Sequence, residues 1–263
     1  MTDSKMGHAL FLHTLIRDAG GLALQHFNSR PAGFALKGPQ DPVTEADLAV
    51  EQFIRSRVAA TFPDDGFLGE ESGASGGENV WVVDPIDGTD NFARGIPHFC
   101  VSIAYVVNGQ TRLGAIFNPC TSELYLAEKG RGATKNGLRL AVSENPPACS
   151  AVELGWSSRV SRSAYTAALH RLLDAGANVR RHGSGALALA WVAEGRTDGY
   201  AELHMNSWDA LAGLLMVREA GGVTTEGADS GERLFKGGAV FAANLLLAPL
   251  MTERSGAEAV FTG

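Results

Sequence analysis

The segment from residue 80 to residue 92 constrains this chain more than any other. Val80, Trp81, Val82 and Val83 make an apolar run that reads as a buried strand, and the run stops at two carboxylates, Asp84 and Asp87, three residues apart. Pro85 fixes the backbone between the acids, and Gly88 removes side-chain bulk before Thr89, where a helix is expected to start. Any sheet that holds this strand must end in a pair of like charges. Such a pair costs free energy at short range unless a cation neutralises it. Oxygen-only donors suit a hard divalent cation, Mg²⁺ above all. Thr89 and the N–H groups of a helix start suit a phosphate. One segment therefore implies a metal and an anionic substrate together.

The rest of the composition is compatible with that reading. A chain of 263 residues can form one large domain or two closely packed halves, and 45% hydrophobic residues supply a sizeable core. A net charge of −7, from 22 basic and 29 acidic residues, disfavours binding to nucleic acid or to an anionic membrane. Cys100, Cys120 and Cys149 are too widely spaced for a disulfide framework or a CxxC site, which implies a reducing, cytoplasmic setting. No apolar stretch approaches the roughly 20 residues of a membrane span. The short run from Ala9 to Ile16, broken by His13 and followed by Arg17 and Asp18, does not read as a signal peptide.

The pattern along the chain predicts a first half of α+β type and a second half of α/β type. Leu10, Leu12, Leu15, Ile16, Leu22 and Phe27 mark an amphipathic helix over about 7–27, and a turn is expected at 30–33. Thr44 is a fitting N-cap for a second helix to Ala60, with Leu48, Phe53, Ile54 and Val58 on its buried face. Residues 64–79 read as a polar, glycine-rich loop, and Gly73 to Gly77 within it as a mobile lid. From Phe99 to Ala127, short apolar runs separated by turn residues predict an antiparallel meander. Asn136 and Gly137 predict a tight turn. Pro146 and Pro147 mark the best internal boundary, dividing residues 1–145 from 146–263 within one compact unit. Beyond it, strands at 151–154, 178–181, 199–202 and 238–242 alternate with helices at 163–174, 184–194 and 207–220.

Four acidic clusters stand out: Asp41 with Asp47, Glu70 with Glu71, Asp84 with Asp87, and Asp209 beside Trp208. Singly, three of them have plain explanations: a helix start for Asp47 and for Asp209, and a solvated loop for Glu70 and Glu71. The Asp84/Asp87 pair is harder to dismiss, because carboxylates that end an apolar strand rarely serve packing. As a set, the segments 41–47, 69–72, 84–92 and 208–222 resemble the inositol monophosphatase family of lithium-sensitive, Mg²⁺-dependent phosphatases, in both order and spacing, from about Lys37 to Ala242.

That resemblance implies a layered α/β/α/β/α sandwich, commonly dimeric. It implies two or three Mg²⁺ ions. One would be held by Glu70, Asp84 and the Ile86 carbonyl, and a second by Asp84, Asp87 and Asp209. A third, weaker ion would lie near Glu70 and Asp47. Thr89, with Asp47, would orient the attacking water, and Gly88 and Thr89 would offer N–H groups to the phosphate. Lys37 matches a family lysine near the metals. Glu202, seven residues before Asp209, would read substrate hydroxyls, and Gly183, Ser184 and Gly185 would line the same pocket. Gly185 stands where animal members often carry Ala, so a slightly roomier pocket is expected.

The implied substrate is a small phosphorylated polyol, myo-inositol monophosphate first. Histidinol phosphate, fructose 1,6-bisphosphate and 3′-phosphoadenosine 5′-phosphate remain open, although Asn91 before Phe92 leans away from the last. Two readings of other classes compete. Gly183 to Ala188 fit a G-x-G-x-x-A dinucleotide fingerprint, with Glu202 about 20 residues on, as a nicotinamide-dependent oxidoreductase requires. A non-catalytic regulatory binding role is the third, although every implied ligand position keeps an oxygen donor. His98, beside Pro97, is expected to pack or cap.

Overall fold

Alternation along the central strand already demands two covered faces. Trp81 and Val83 point to one side and Val82 to the other, and all three are fully buried, so helices must lie on both sides of the sheet that holds them. The computed structural model describes residues 3–29, 35–38, 41–252, 254–255 and 258–259, with side chains over 7–29 and 44–252. It builds that arrangement from α1 (Asp3–Ser29), the hairpin β1 (Ala35–Gly38) and β2 (Asp41–Val43), α2 (Glu45–Thr61), β3 (Gly66–Gly69), β4 (Gly73–Ser75), β5 (Asn79–Asp87) and α3 (Thr89–Arg94). The meander follows as β6 (Cys100–Val107), β7 (Gln110–Asn118), β8 (Glu123–Glu128), β9 (Gly132–Lys135) and β10 (Leu138–Arg139). These strands form an eight-stranded sheet in the order β10-β9-β8-β7-β6-β5-β3-β4, antiparallel except where β3 runs parallel to β5.

After a 3₁₀ turn at Pro147–Cys149 come β11 (Ala151–Leu154), α4 (Arg162–Asp174), β12 (Asn178–Arg180), α5 (Gly185–Ala193), β13 (Gly199–Met205), α6 (Ser207–Glu219), β14 (Val223–Thr224), α7 (Gly231–Lys236), β15 (Gly238–Ala243) and α8 (Ala248–Thr252). Their five-stranded sheet has the order β12-β11-β13-β15-β14. β11 is parallel to both β12 and β13, and β15 is antiparallel to its two neighbours.

Three apolar cores hold the layers together. The first joins α1 and α2 to one face of the large sheet, through Leu12, Leu15, Ile16, Ile54, Trp81 and Phe117. The second buries α5 and α6 between the two sheets, through Val82, Ile116, Leu187, Leu189, Leu215 and Val240. The third packs the outer face of the small sheet on α4 and α8, through Val152, Leu172, Phe241 and Met251. The result is the expected α/β/α/β/α sandwich. None of the described helices is long and apolar enough to cross a membrane.

Several local expectations change. Residues 64–79 are not one loop: β3 is buried and β4 pairs with it at the sheet edge, so Gly73 to Ser75 form a strand and not a lid. Four residues too short to show periodicity gave no sign of this in sequence. Leu10 and Leu48 face solvent, 68% and 56% exposed. The buried stripe of α2 runs through Asp47, Val50, Glu51, Ile54 and Val58, and Leu48 lies about 200° around the helix from Val50. β13 runs three residues past its expected end at Glu202, and β14 and α7 were not anticipated. The turn at 30–33 lies outside the described residues, as do the side chains of Lys37 and Asp41.

Candidate active site

The first problem the fold solves is one of parity. Side chains of a strand alternate, so Asp84 and Asp87, three apart, would normally point to opposite faces. The ladder between β5 and β6 pairs Asp84 with Ser102 and Asp87 with Cys100, three residues against two. This one-residue bulge at Pro85–Ile86 puts both acids on the same side. Pro85 suits the bulge because it has no N–H to leave unpaired. Asp84 Oδ1 accepts the Ile86 N–H at 2.9 Å and closes the turn. Gly88, at φ +97°, then feeds α3 in a left-handed conformation. A Cβ there would lie 3.1 Å from the His98 carbonyl and 3.2 Å from that of Gly183.

Neighbouring elements bring the other acids in. The parallel register Gly69↔Val83 sets Glu70 beside Asp84, and the Glu70 N–H donates to the Val83 carbonyl at 3.2 Å. Asp209 lies in the first turn of α6, whose start is tied to β6 by the Ser102 hydroxyl donating to the Trp208 carbonyl at 3.1 Å. Carboxylate oxygens of Glu70, Asp84 and Asp209 all lie within 4.8 Å of one another. Burial raises the pKa of both Asp84 and Asp209 well above the ordinary carboxylate value, and the charges of Glu70 and the other acids add to the shift. Acids that repel one another this closely are the donor set of a hard cation, so the residues fit a divalent metal.

Asp87 lines the same cavity but is turned towards α5. It accepts hydrogen bonds from the Ser184 hydroxyl, the Ala186 N–H at 2.9 Å and the Gly185 N–H at 3.2 Å, with the Cys100 thiol 3.6 Å away. Asp47 is fully buried behind Thr89. Its Oδ2 accepts both the N–H (2.8 Å) and the hydroxyl (2.5 Å) of Thr44, completing the helix cap, and its Oδ1 accepts the Thr89 hydroxyl at 3.1 Å. Burial raises Asp47 to a pKa of about 6 despite these bonds. The Thr89 hydroxyl also lies 3.0 Å from the Ile86 carbonyl. The structure thus brings Asp47 and Thr89 together and leaves Asp47 outside the three-carboxylate group.

The opposite wall comes from the C-terminal ends of β11, β12 and β13. β11 has β12 on one side and β13 on the other, a switch in strand order of the kind where α/β sheets open a crevice. The resulting cavity, about 210 Å³, is lined by six carboxylates, Glu70, Asp84, Asp87, Glu153, Glu202 and Asp209, against one arginine, Arg181. Tyr200 donates a short hydrogen bond to Glu202 Oε2. Burial still raises Glu202 to a pKa of about 7.

Gly185 does not enlarge the pocket as expected. An Ala Cβ there would lie 2.6 Å from Met205 Cε and 2.9 Å from the Tyr200 hydroxyl, so these side chains already take up the space. The dinucleotide fingerprint also fails physically, because the N-terminal N–H groups of α5 that would hold a pyrophosphate are bonded to Asp87. His98 packs as expected: its half-buried ring lies against those of His182 and Trp191.

Sequence reasoning missed three residues that shape the site. Tyr200 and Glu153 are brought to it only by the small sheet. Glu51 holds the turn after β3, accepting the Glu71 N–H at 2.8 Å and the Ser72 N–H at 2.7 Å. A Cβ on Gly69 would lie 2.5 Å from its carboxylate. A signal existed for Glu51, which falls on the buried stripe of α2 four residues after Asp47.

Comparison with known proteins agrees with this geometry. The model of the inositol monophosphatase family matches residues 9–259. An inositol-1-monophosphatase of Rhizobium meliloti strain 1021 is 40% identical over 226 residues, covering 83% of this chain and 84% of the relative. A Nus factor SuhB of Xylella fastidiosa is 39% identical over 221 residues, covering 81% and 80%. The solved structure of the extragenic suppressor protein suhB from Bartonella henselae superposes with a TM-score of 0.84 at 35% identity, over 91% of this chain and 95% of that one. With the acidic triad, the strand-end bulge and the five-layered fold all in place, this chain belongs to the inositol monophosphatase family.

Proposed function

We propose that the protein hydrolyses a small phosphate monoester with Mg²⁺ as its cofactor, and that myo-inositol monophosphate is its first substrate. One observation carries the reading: the carboxylates of buried Asp84 and half-buried Glu70 and Asp209 converge within 4.8 Å in a cavity whose lining includes Thr89, and Thr89 is held from behind by Asp47. Glu70, Asp84, Asp209 and the Ile86 carbonyl would hold the metal, with Asp87 beside them. Bound Mg²⁺ would supply Lewis-acid stabilisation of phosphate charge and a water acidic enough to act near neutral pH.

The chain's own residues do the rest. Thr89, its hydroxyl held by Asp47, orients the attacking water and passes a proton towards the Asp47 carboxylate, whose pKa of about 6 suits a group that takes a proton near neutrality. Gly88 and Thr89 offer backbone N–H groups to the phosphate. Across the cavity, Glu202 accepts substrate hydroxyls, oriented by Tyr200. No side-chain nucleophile is needed, so no phosphoenzyme forms. A homodimer in the cytoplasm, sensitive to lithium, accompanies this reading.

The test is phosphate release with and without Mg²⁺ from inositol 1-phosphate, histidinol phosphate, fructose 1,6-bisphosphate and 3′-phosphoadenosine 5′-phosphate. Metal-dependent release led by inositol 1-phosphate is expected. Release led by another compound overturns the substrate, and release from none overturns the phosphatase reading. The 39% identity to a protein named Nus factor SuhB favours a second role, protein binding beside catalysis. A metal-ligand variant that loses turnover but still binds a protein partner would separate the two.

A further inference from the structure

The segment after β12 carries the donors that hold Asp87, and just before those donors it is held from two sides at His182. On one side, Glu153 Oε2, at the end of β11, accepts the His182 backbone N–H at 3.2 Å and lies 3.0 Å from His182 Nδ1. On the other, Asn91 Nδ2, in α3, donates to the His182 carbonyl and to the His98 carbonyl, both at 2.8 Å. Both gripping side chains are buried, Glu153 to 2% exposure and Asn91 to 8%. They come from different sheets: α3 follows β5 of the large sheet, whereas β11 belongs to the small one.

The contact leaves no slack. Gly183 is left-handed at φ +82°, and a Cβ on it would lie 3.3 Å from Asn91 Nδ2. The next three residues then reach Asp87 through the Ser184 hydroxyl and the N–H groups of Gly185 and Ala186. Packing alone does not explain an acid at 153. Its second oxygen, Oε1, is buried with no hydrogen-bond partner among the described residues, which is costly. A charged acceptor does, however, strengthen the bond to the His182 N–H.

We infer that Glu153 and Asn91 are positioning residues that clamp His182 from its two sides and so register residues 182–186 on Asp87. The clamp joins the metal-binding wall of the cavity to the substrate-reading wall. Only the kinetic arm of its test rests on the phosphatase reading above.

The test measures amide hydrogen exchange in the full chain. Glu153→Ala and Asn91→Ala should each speed exchange at Gly185 and Ala186 about tenfold, the scale of losing one hydrogen bond to a carboxylate or the two neutral amide hydrogen bonds of Asn91. Glu153→Gln keeps an acceptor for the His182 N–H and should stay within about threefold of the parent. Because both residues act through one residue, the double Ala variant should exchange little faster than either single one. In the kinetic arm, Glu153→Ala should raise KM for inositol 1-phosphate more than it lowers kcat, and Glu153→Gln should restore KM. Unchanged exchange at 185 and 186 in Glu153→Ala overturns the clamp. So do multiplying effects in the double variant, or a Gln variant as fast as the Ala one. Should Asn91→Ala not fold, the contrast between Ala and Gln at 153 still decides. If the parent releases phosphate from no substrate, the functional reading falls while the exchange arm still judges the clamp.

Discussion

The two walls of the cavity are built in opposite ways. The acidic wall is local: Asp84, Ile86, Asp87, Gly88 and Thr89 come from one strand end and its turn, and only Glu70, Asp47 and Asp209 are imported. The opposing wall is distributed. Glu153 lies near the end of β11, His182 just after β12 and Glu202 within β13, and no two of them lie within 19 residues of each other in sequence. The local wall is rigid by construction, with a bulge, a positive-φ glycine and a helix cap each fixing one group. The distributed wall depends on tertiary registration, through bonds such as those that grip His182. On the proposed function, chemistry common to many substrates falls to the first wall and discrimination among substrates to the second.

Substitutions can break or sharpen that contrast. The largest effect is expected from Asp84→Asn or Asp209→Asn, which should lower Mg²⁺-dependent kcat by about 10²–10³-fold or more. Neither should lower thermal stability in a chelator, because each removes a carboxyl group crowded by other acids, whose ionisation the fold disfavours. Retained turnover would refute the metal assignment. Thr89→Ala comes next: kcat should fall about 100-fold, the scale of a lost proton-transfer group. A steady-state assay in which KM rises and kcat holds would instead make Thr89 a binding residue.

On the distributed wall, Glu202→Gln should raise KM for inositol 1-phosphate about tenfold and KM for p-nitrophenyl phosphate much less. An equal rise for both substrates would mean that Glu202 does not read hydroxyls. Both walls should show in the pH dependence of stability without metal. Asp47 and Glu202 have ordinary pKa values of 3.8 and 4.5 and folded values of about 6 and about 7. Over that range the folded state binds more protons than the unfolded one, so stability falls as pH rises. In a chelator, Tm should therefore be higher near pH 5 than near pH 8, and a Tm rising with pH would contradict the burial of these acids. The smallest effect is expected from Gly185→Ala, which should cost about 1–3 kcal/mol in urea denaturation through the clash with Met205 and Tyr200. A neutral result would show that Met205 yields at no cost.

The legibility of the chain follows the same divide. Helices α1, α2, α4, α5 and α6 and the strands of the meander were readable because each spans enough residues to show its period. β3 and β4 were hidden in a glycine-rich stretch of mixed polarity. Asp84 and Asp87 were found because charge at the end of an apolar run is anomalous wherever it occurs, whereas Glu70, Asp47, Asp209 and Glu202 were assigned to the site only through the family resemblance. Glu51 was missed although it falls on the buried stripe of α2, and Glu153 was missed because an acid in a short strand looks solvated until its neighbours are known. Gly185 was read in the wrong direction for the same reason: the absence of a Cβ says nothing about whether Met205 and Tyr200 fill the space.

Sequence pattern alone therefore determined an α+β first half and an α/β second half, the strand that ends in acids, and the oxygen-donor chemistry at its tip, because these depend on local pattern and residue type; the layered order came only with the family resemblance. The tertiary structure decided which acids share a face, which one turns to the helix behind it, and how the second wall registers on the first. Those outcomes rest on a one-residue bulge, a sheet order and hydrogen bonds between residues as far apart as Asn91 and His182. The physical reason is range. Propensity and polarity act between neighbours in sequence, whereas the site is set by packing between elements that meet only in the folded chain.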